Sequence, residues 1–331
     1  MFLTNKTTII AALEGTPYDV AGETLTSTDF DIRIRNDVTY TLEMDEYRRK
    51  YLEGTLDHDL SVIGRQRGTF TFTVDMAPSA TGSEDVPPPW SKLLQGCGFE
   101  EEIHATFGVS WRPHSDFTHI PLTVHVVEQL EGASADMLVT RYQGVMGNVT
   151  FVIGTVGEPV QMNFDFSGVL ISMEDLAFAS RLVPTALSTV KPGAILGSTV
   201  TVGGVAQDID TFEFNMNNSI QEHIDPSRGT GIRGFYKDAY EPQLTLDPTL
   251  KQISAEPVYT EWLDCTPGAV SVITAPAQTG PVLTLSAPAA QRIALDIGDR
   301  NGARLAGTNF LLTKGAPAGN DVFEILQGAK S

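Results

Sequence analysis

Residues 67–76 read RGTFTFTVDM. In an extended chain successive side chains point to opposite faces, so Thr69, Thr71, Thr73 and Asp75 share one side of a strand, and Phe70, Phe72, Val74 and Met76 share the other. One face is wet and one is apolar, the period-two pattern of a half-buried strand. The pattern returns in NVTFVIG (148–154), VQMNFDFSGVLI (160–171), DTFEFNM (210–216) and PQLTLDP (242–248). It is weaker in IPLTVHVVEQL (120–130), AVSVIT (269–274), PVLTLSA (281–287), RIALDIG (292–298) and DVFEIL (321–326). Gly, Pro, Asn and Asp separate these segments, so the chain is expected to be mainly β.

Helix signals are few and short. In PPPWSKLLQGCGF the prolines suit a helix start, Trp90, Leu93 and Leu94 share an apolar face, and Gly96 or Gly98 can take the left-handed cap. Two further helices are expected, in TTIIAAL near the N-terminus and in SMEDLAFASRLV (172–183). The stretch MAPSATGSEDVPPP (76–89) has the composition of a long exposed loop, expected to order against a neighbouring molecule.

The chain has 331 residues, with 41 acidic and 22 basic side chains and a formal charge of −19. That balance disfavours a surface that grips nucleic acid by neutralising phosphates. Two cysteines, Cys97 and Cys265, supply no disulfide framework and read as buried thiols of a reducing compartment. The N-terminal residues hold too short an apolar run for a signal peptide or a membrane span, which places the expected location in a cytoplasm.

The chain also matches itself. Setting FTFTVD (70–75) on PQLTLD (242–247), an offset of 172, aligns Phe72 with Leu244, Thr73 with Thr245, Val74 with Leu246 and Asp75 with Asp247. An offset of 144 then sets Ile153 and Gly154 on Ile297 and Gly298, and Phe166 on Phe310. The smaller second offset requires extra chain in the first half, with 101–133 its natural place. On this reading residues 1–183 form a first β domain, and residues 184–331 a second that is a degenerate copy.

Catalytic patterns are missing. His114, Asp116 and His119 in HSDFTH lack the further ligands of a metal centre, and Ser134 in GASAD lacks the setting of a nucleophile elbow. Neither a P-loop nor a dinucleotide fingerprint occurs.

Several of these segments resemble one family. PPPWSKLLQGCGFEEE (87–102) is similar to the acidic, proline-led loop, short double-leucine helix and Cys-Gly-Phe of tail tube proteins (major tail proteins) of long, non-contractile phage tails. YQGVMGNVTFVIGTVGEPVQMNFDFSGVL (142–170) resembles their later hairpin, with a Gly-x-x-Gly-Asn turn, a Gly-Glu-Pro turn and an aromatic strand ending in Gly. Residues 209–248 resemble their strand, Asn-rich bend, long arm and returning strand, and IIAALEGTPYDV (9–20) fits as well. The resemblance implies a β-sandwich or sheet with short flanking helices, whose strands join those of neighbouring copies into a β-barrel around a channel. Rings stack into the tail tube and the genome passes through during ejection. It further implies a virion protein made in the host cytoplasm, with no enzymatic activity, cofactor, metal or membrane. Its partners would be itself, as a trimeric pseudo-hexamer or a hexamer, and the tape measure, terminator and tail tip proteins. DNA would pass without specific binding.

Short polar groups lie opposite apolar faces in three segments: Thr71, Thr73 and Asp75; Asn163 and Asp165; Thr245 and Asp247. A narrow bore favours such side chains over the long charged ones usual on solvent-facing strands. These seven residues are therefore the expected lumen wall. The arm at 217–236 is expected to hold adjacent subunits or rings. Two other readings compete: a two-domain β-sandwich binding module for a receptor or carbohydrate, with Trp90, Trp111 and Trp262 as platforms, and a metal-dependent β-fold enzyme.

Overall fold

The computed structural model describes residues 2–19, 24–26, 29, 32–35, 38–48, 60–79, 83–104, 108–115, 120–130, 136–153, 157–177, 192–193, 197–274, 281–316 and 319–328. The chain is mainly β, as its alternation requires. In chain order the first half comprises β1 (Phe2–Leu13), β2 (Thr39–Tyr47), β3 (Val62–Asp75), helix α1 (Ser91–Gly96), β4 (Phe99–His104), β5 (Gly108–Pro113), β6 (Leu122–Leu130), β7 (Met137–Ile153) and β8 (Gln161–Leu176). The second half comprises β9 (Thr199–Val202), β10 (Val205–Ala206), β11 (Phe212–Asn215), β12 (Asn218–Ile224), β13 (Ile232–Tyr240), β14 (Gln243–Leu246), helix α2 (Val258–Leu263), β15 (Gly268–Ile273), β16 (Leu283–Arg300), β17 (Ala303–Thr313) and β18 (Glu324–Gln327). Among the described residues, all strands but β12 and β13 belong to one 16-stranded antiparallel sheet.

Its topology repeats. In the first half the ladder runs β1-β6-β7-β8-β3-β2. In the second it runs β9-β15-β16-β17-β14-β11, with the corresponding strands met in the same chain order and a short helix after the third strand of each set. The first half has the β4–β5 hairpin as extra chain between its helix and β6, all but its first two residues within the span that the offsets pointed to. One aligned pair shifts. Leu244 lies opposite Phe310 as Phe72 lies opposite Phe164, so Phe310 stands in the place of Phe164 and not of Phe166.

The halves do not have separate cores. β11 pairs with the C-terminal end of β7, β18 returns to β5, and one cluster of buried residues spans both sets of strands. The expected boundary between residues 183 and 184 lies outside the described residues. On the apolar side, Phe70, Phe72, Phe164 and Phe166 stack across β3 and β8 with ring centroids 5.5–6.3 Å apart. Each such ring removed from water stabilises the fold by about 1.5–3 kcal/mol, and offset stacking adds about 0.5–1.5 kcal/mol per pair.

Several expectations need correction. TTIIAAL is the end of β1, paired with β6, because tertiary pairing overrides its helix propensity. Ser172–Leu176 continue β8, and residues 178–183 lie outside the described residues. PVLTLSA and RIALDIG form one strand, β16, with a bulge near Ile293. The Gly-x-x-Gly-Asn segment is not a turn: β7 runs straight through it, with a register shift between Gln143 and Met146 and Gly144 at φ +56°. Cys97 is buried but Cys265 is exposed.

Described residues of the loop after β3 bond to their own chain. The Gln327 side chain accepts a hydrogen bond from Ser79 N (3.0 Å) and donates to the carbonyls of Glu84 (3.1 Å) and Val86 (2.8 Å). α1 matches its expected place. Trp90, Leu93 and Leu94 are buried, and Gly98 takes the positive φ of +79° that lets the chain turn back into β4.

Candidate functional site

Directly opposed residues of an antiparallel ladder share a face, so the register fixes where each expected lumen residue stands. Thr71 opposes Asp165, Thr73 opposes Asn163, and Asp75 opposes Gln161. Asp165 and Asn163 oppose Asn148 and Thr150 of β7. Thr150 opposes Asn215, and Glu213 opposes Thr245. Thr245 in turn opposes Asn309, which opposes Ala294 of β16. Asp247, just past β14, keeps the parity of Thr245. All seven residues therefore lie on one face of a single run of eight strands, β2-β3-β8-β7-β11-β14-β17-β16. The reverse face carries the phenylalanines.

Short polar groups recur on this face in a repeated arrangement. The Thr73 hydroxyl donates to Asn163 Oδ1 (2.8 Å), and the Thr245 hydroxyl donates to Asn309 Oδ1 (3.1 Å), one bond in each half at matching ladder positions. The three carboxylates differ in their work. Asp75 pairs with Arg35 at 3.1 Å. Asp247 accepts from the backbone N–H of Asp210 (3.0 Å) and Thr211 (2.8 Å) and pairs with Arg300 at 2.9 Å. It therefore fixes the start of β11 as well as contributing charge. Partial burial raises the Asp165 carboxyl above the usual carboxylate range.

The β12–β13 hairpin closes one end of the face, and the sequence marks it only as an arm. It folds onto the first half of its own chain: Ile232 and Phe235 pack with Met146 and Val169, while Glu222 pairs with Arg65 (2.6 Å) and Arg67 (3.1 Å). Arg67 also binds Glu43 and Asp45. At the base of the arm, the buried Lys237 ammonium donates to the carbonyls of Gly98 (3.1 Å) and His114 (3.0 Å). Burial pulls its pKa down to about 8.

Other candidates fare differently. Trp90 and Trp111 are core residues whose rings pack at 5.0 Å, because their indole bodies fill the space between α1 and β5. Only Trp262 of the three is substantially exposed, beside Tyr259 on α2. Asp116, His119 and Ser134 lie outside the described residues, and His114 sits 3.2 Å from Glu100. Among the described residues no three His, Cys, Asp or Glu side chains gather as a metal site, and no helix is long and apolar enough to cross a membrane.

Comparison with known proteins finds no family model that matches the chain and no curated protein significantly similar to it.

Proposed function

We propose that the chain is a structural protein that polymerises as stacked rings into a tube, like the tail tube proteins of long non-contractile phage tails, and that its polar face lines the channel through which the genome passes. The observation that carries this reading is one mostly polar face that continues across eight strands of both halves. A face meant only for bulk water has no need of continuity across a junction between repeats. A channel wall does. Short Thr, Asn and Asp groups leave room for a duplex, and a chain carrying −19 disfavours phosphate binding.

The matching strand orders support a tandem duplication, and with it a ring of three copies that supplies six similar units. Closing the sheet into a barrel removes its edges, which otherwise invite uncontrolled pairing. The tape measure, terminator and tail tip proteins are the further partners of such a tube, in the virion and in the host cytoplasm where it assembles.

Concentrated or seeded protein is expected to form long tubes of uniform width in negative stain. Monodisperse particles across a wide range of salt, concentration and seeding would overturn the reading. The side that faces the bore is tested by Thr71→Cys in a Cys265→Ser background, labelled with biotin maleimide after assembly. Streptavidin is expected to decorate tube ends alone, and decoration along the walls would put this face outside.

A further inference from the structure

The β12–β13 arm lies over the polar face rather than beside it. Ser167 and Val169 stand opposite Thr69 and Arg67, and so share the face of Asp165 and Thr71. An open cleft of about 420 Å³ separates this part of the face from the arm, with Arg67, Thr69 and Ser167 on one side and Ile220, Glu222 and Phe235 on the other. The apolar contacts that hold the arm down, Met146 and Val169 with Ile232 and Phe235, form a small cluster apart from the main core. A segment fastened by few apolar contacts over a polar cleft opens at a lower cost than the core beneath it.

One of its fastenings is itself costly. Lys237, on β13, is 4% exposed, and its ammonium meets the carbonyls of Gly98 and His114 and lies 4.7 Å from the centre of the Tyr240 ring. The titratable groups around it are Tyr240 on its own strand, Cys97 at the end of α1, and His114 just past β5, whose ring faces Glu100 of β4. Burial pushes the Cys97 thiol well up, so it supplies no negative charge near neutrality. Among the described residues no carboxylate pairs with the ammonium. A neutral amine keeps two N–H groups, enough for the two carbonyls, so loss of the proton removes the buried charge without forfeiting either hydrogen bond. Lifting the arm carries β13 into water, where the ammonium is solvated.

We propose that the arm is a strap over the polar face that opens transiently near neutral pH and closes more firmly in alkali, with Lys237 as its titrating clasp. The docked lysine has a pKa of about 8 against an ordinary 10.5, so the released arm binds more protons than the docked one. The cost to docking is therefore complete below about pH 8 and disappears as the pH rises towards 10.5. The strap is independent of the tube reading, because its test uses the dilute, unassembled chain.

Val169→Cys in a Cys265→Ser background places a thiol beneath the arm, while Cys97 in the main core reports opening of the whole fold. Reaction with an aromatic disulfide, corrected at each pH by the rate of a free peptide thiol, measures the open fraction. That fraction is expected to fall about tenfold from pH 7 to pH 9, with Cys97 protected throughout, and to stay level across the same range when Lys237→Met is added. An open fraction that ignores pH, or an equal fall in the Lys237→Met chain, overturns the clasp. A thiol at 169 that never reacts at pH 7, or that reacts in step with Cys97, overturns the strap. The pH profile of the first chain decides even where the Lys237→Met chain does not fold.

Discussion

Phe72→Asp is expected to yield no cooperatively folded protein, whereas Thr71→Lys, one residue away, is expected to fold like the parent. Phe72 is 4% exposed and stacks on Phe164 at 5.5 Å and Phe166 at 5.9 Å. The substitution removes an aromatic body worth about 3–5 kcal/mol and buries a carboxylate among the rings of Phe70, Phe164 and Phe166. The group escapes part of that penalty by taking up a proton, but burying an unpaired polar group still costs about 1–3 kcal/mol. The sum approaches the ~5–15 kcal/mol stability of a whole domain. Thr71 points the other way, opposite Asp165, where an added ammonium meets a carboxylate. Circular dichroism melts of both variants decide the matter, and a soluble, cooperatively melting Phe72→Asp protein would mean the faces are reversed.

Arg292→Ala is expected to destabilise the fold by about 3–5 kcal/mol, the range for breaking one side of a buried ion pair. Arg292 is 2% exposed, and its guanidinium donates to Glu256 (2.8 Å), Glu261 (3.0 Å) and the Thr308 hydroxyl (3.1 Å) beside the Phe310 ring. Glu256 also accepts from Gln207 at 2.7 Å. Truncation leaves the Glu256 carboxylate buried, at 4% exposure, without its cation. Replacing both partners, Arg292→Met with Glu256→Leu, is expected to recover most of the loss, because the penalty lies in the orphaned charge rather than in the pair. Urea denaturation of the single and double variants measures both. Equal losses in the two would place the cost in packing around Phe310 instead.

The sequence by itself determined the faces. Alternation is local, so Thr71, Thr73 and Asp75 in β3, Asn163 and Asp165 in β8, and Thr245 in β14 could be assigned to one side of their strands from spacing alone. It also carried the repeat, because FTFTVD and PQLTLD keep the same parity. Where local and non-local preferences conflict, the sequence misleads. TTIIAAL satisfies helix propensity, yet its backbone groups pair with β6, and the Gly144 segment looks like a turn but is a bulge inside β7. Only the tertiary structure decided that the three polar faces are one face, since each ladder step joins residues far apart in the chain. It alone revealed the second role of Asp247, whose backbone partners at 210 and 211 arrive through the β11–β14 pairing, and the place of Arg292 among glutamates 36 and 31 positions earlier. The physical reason is common to all of these. Which side of a strand a residue occupies follows from the geometry of one backbone, whereas the neighbour it meets depends on how the loops close and which strand edges find each other.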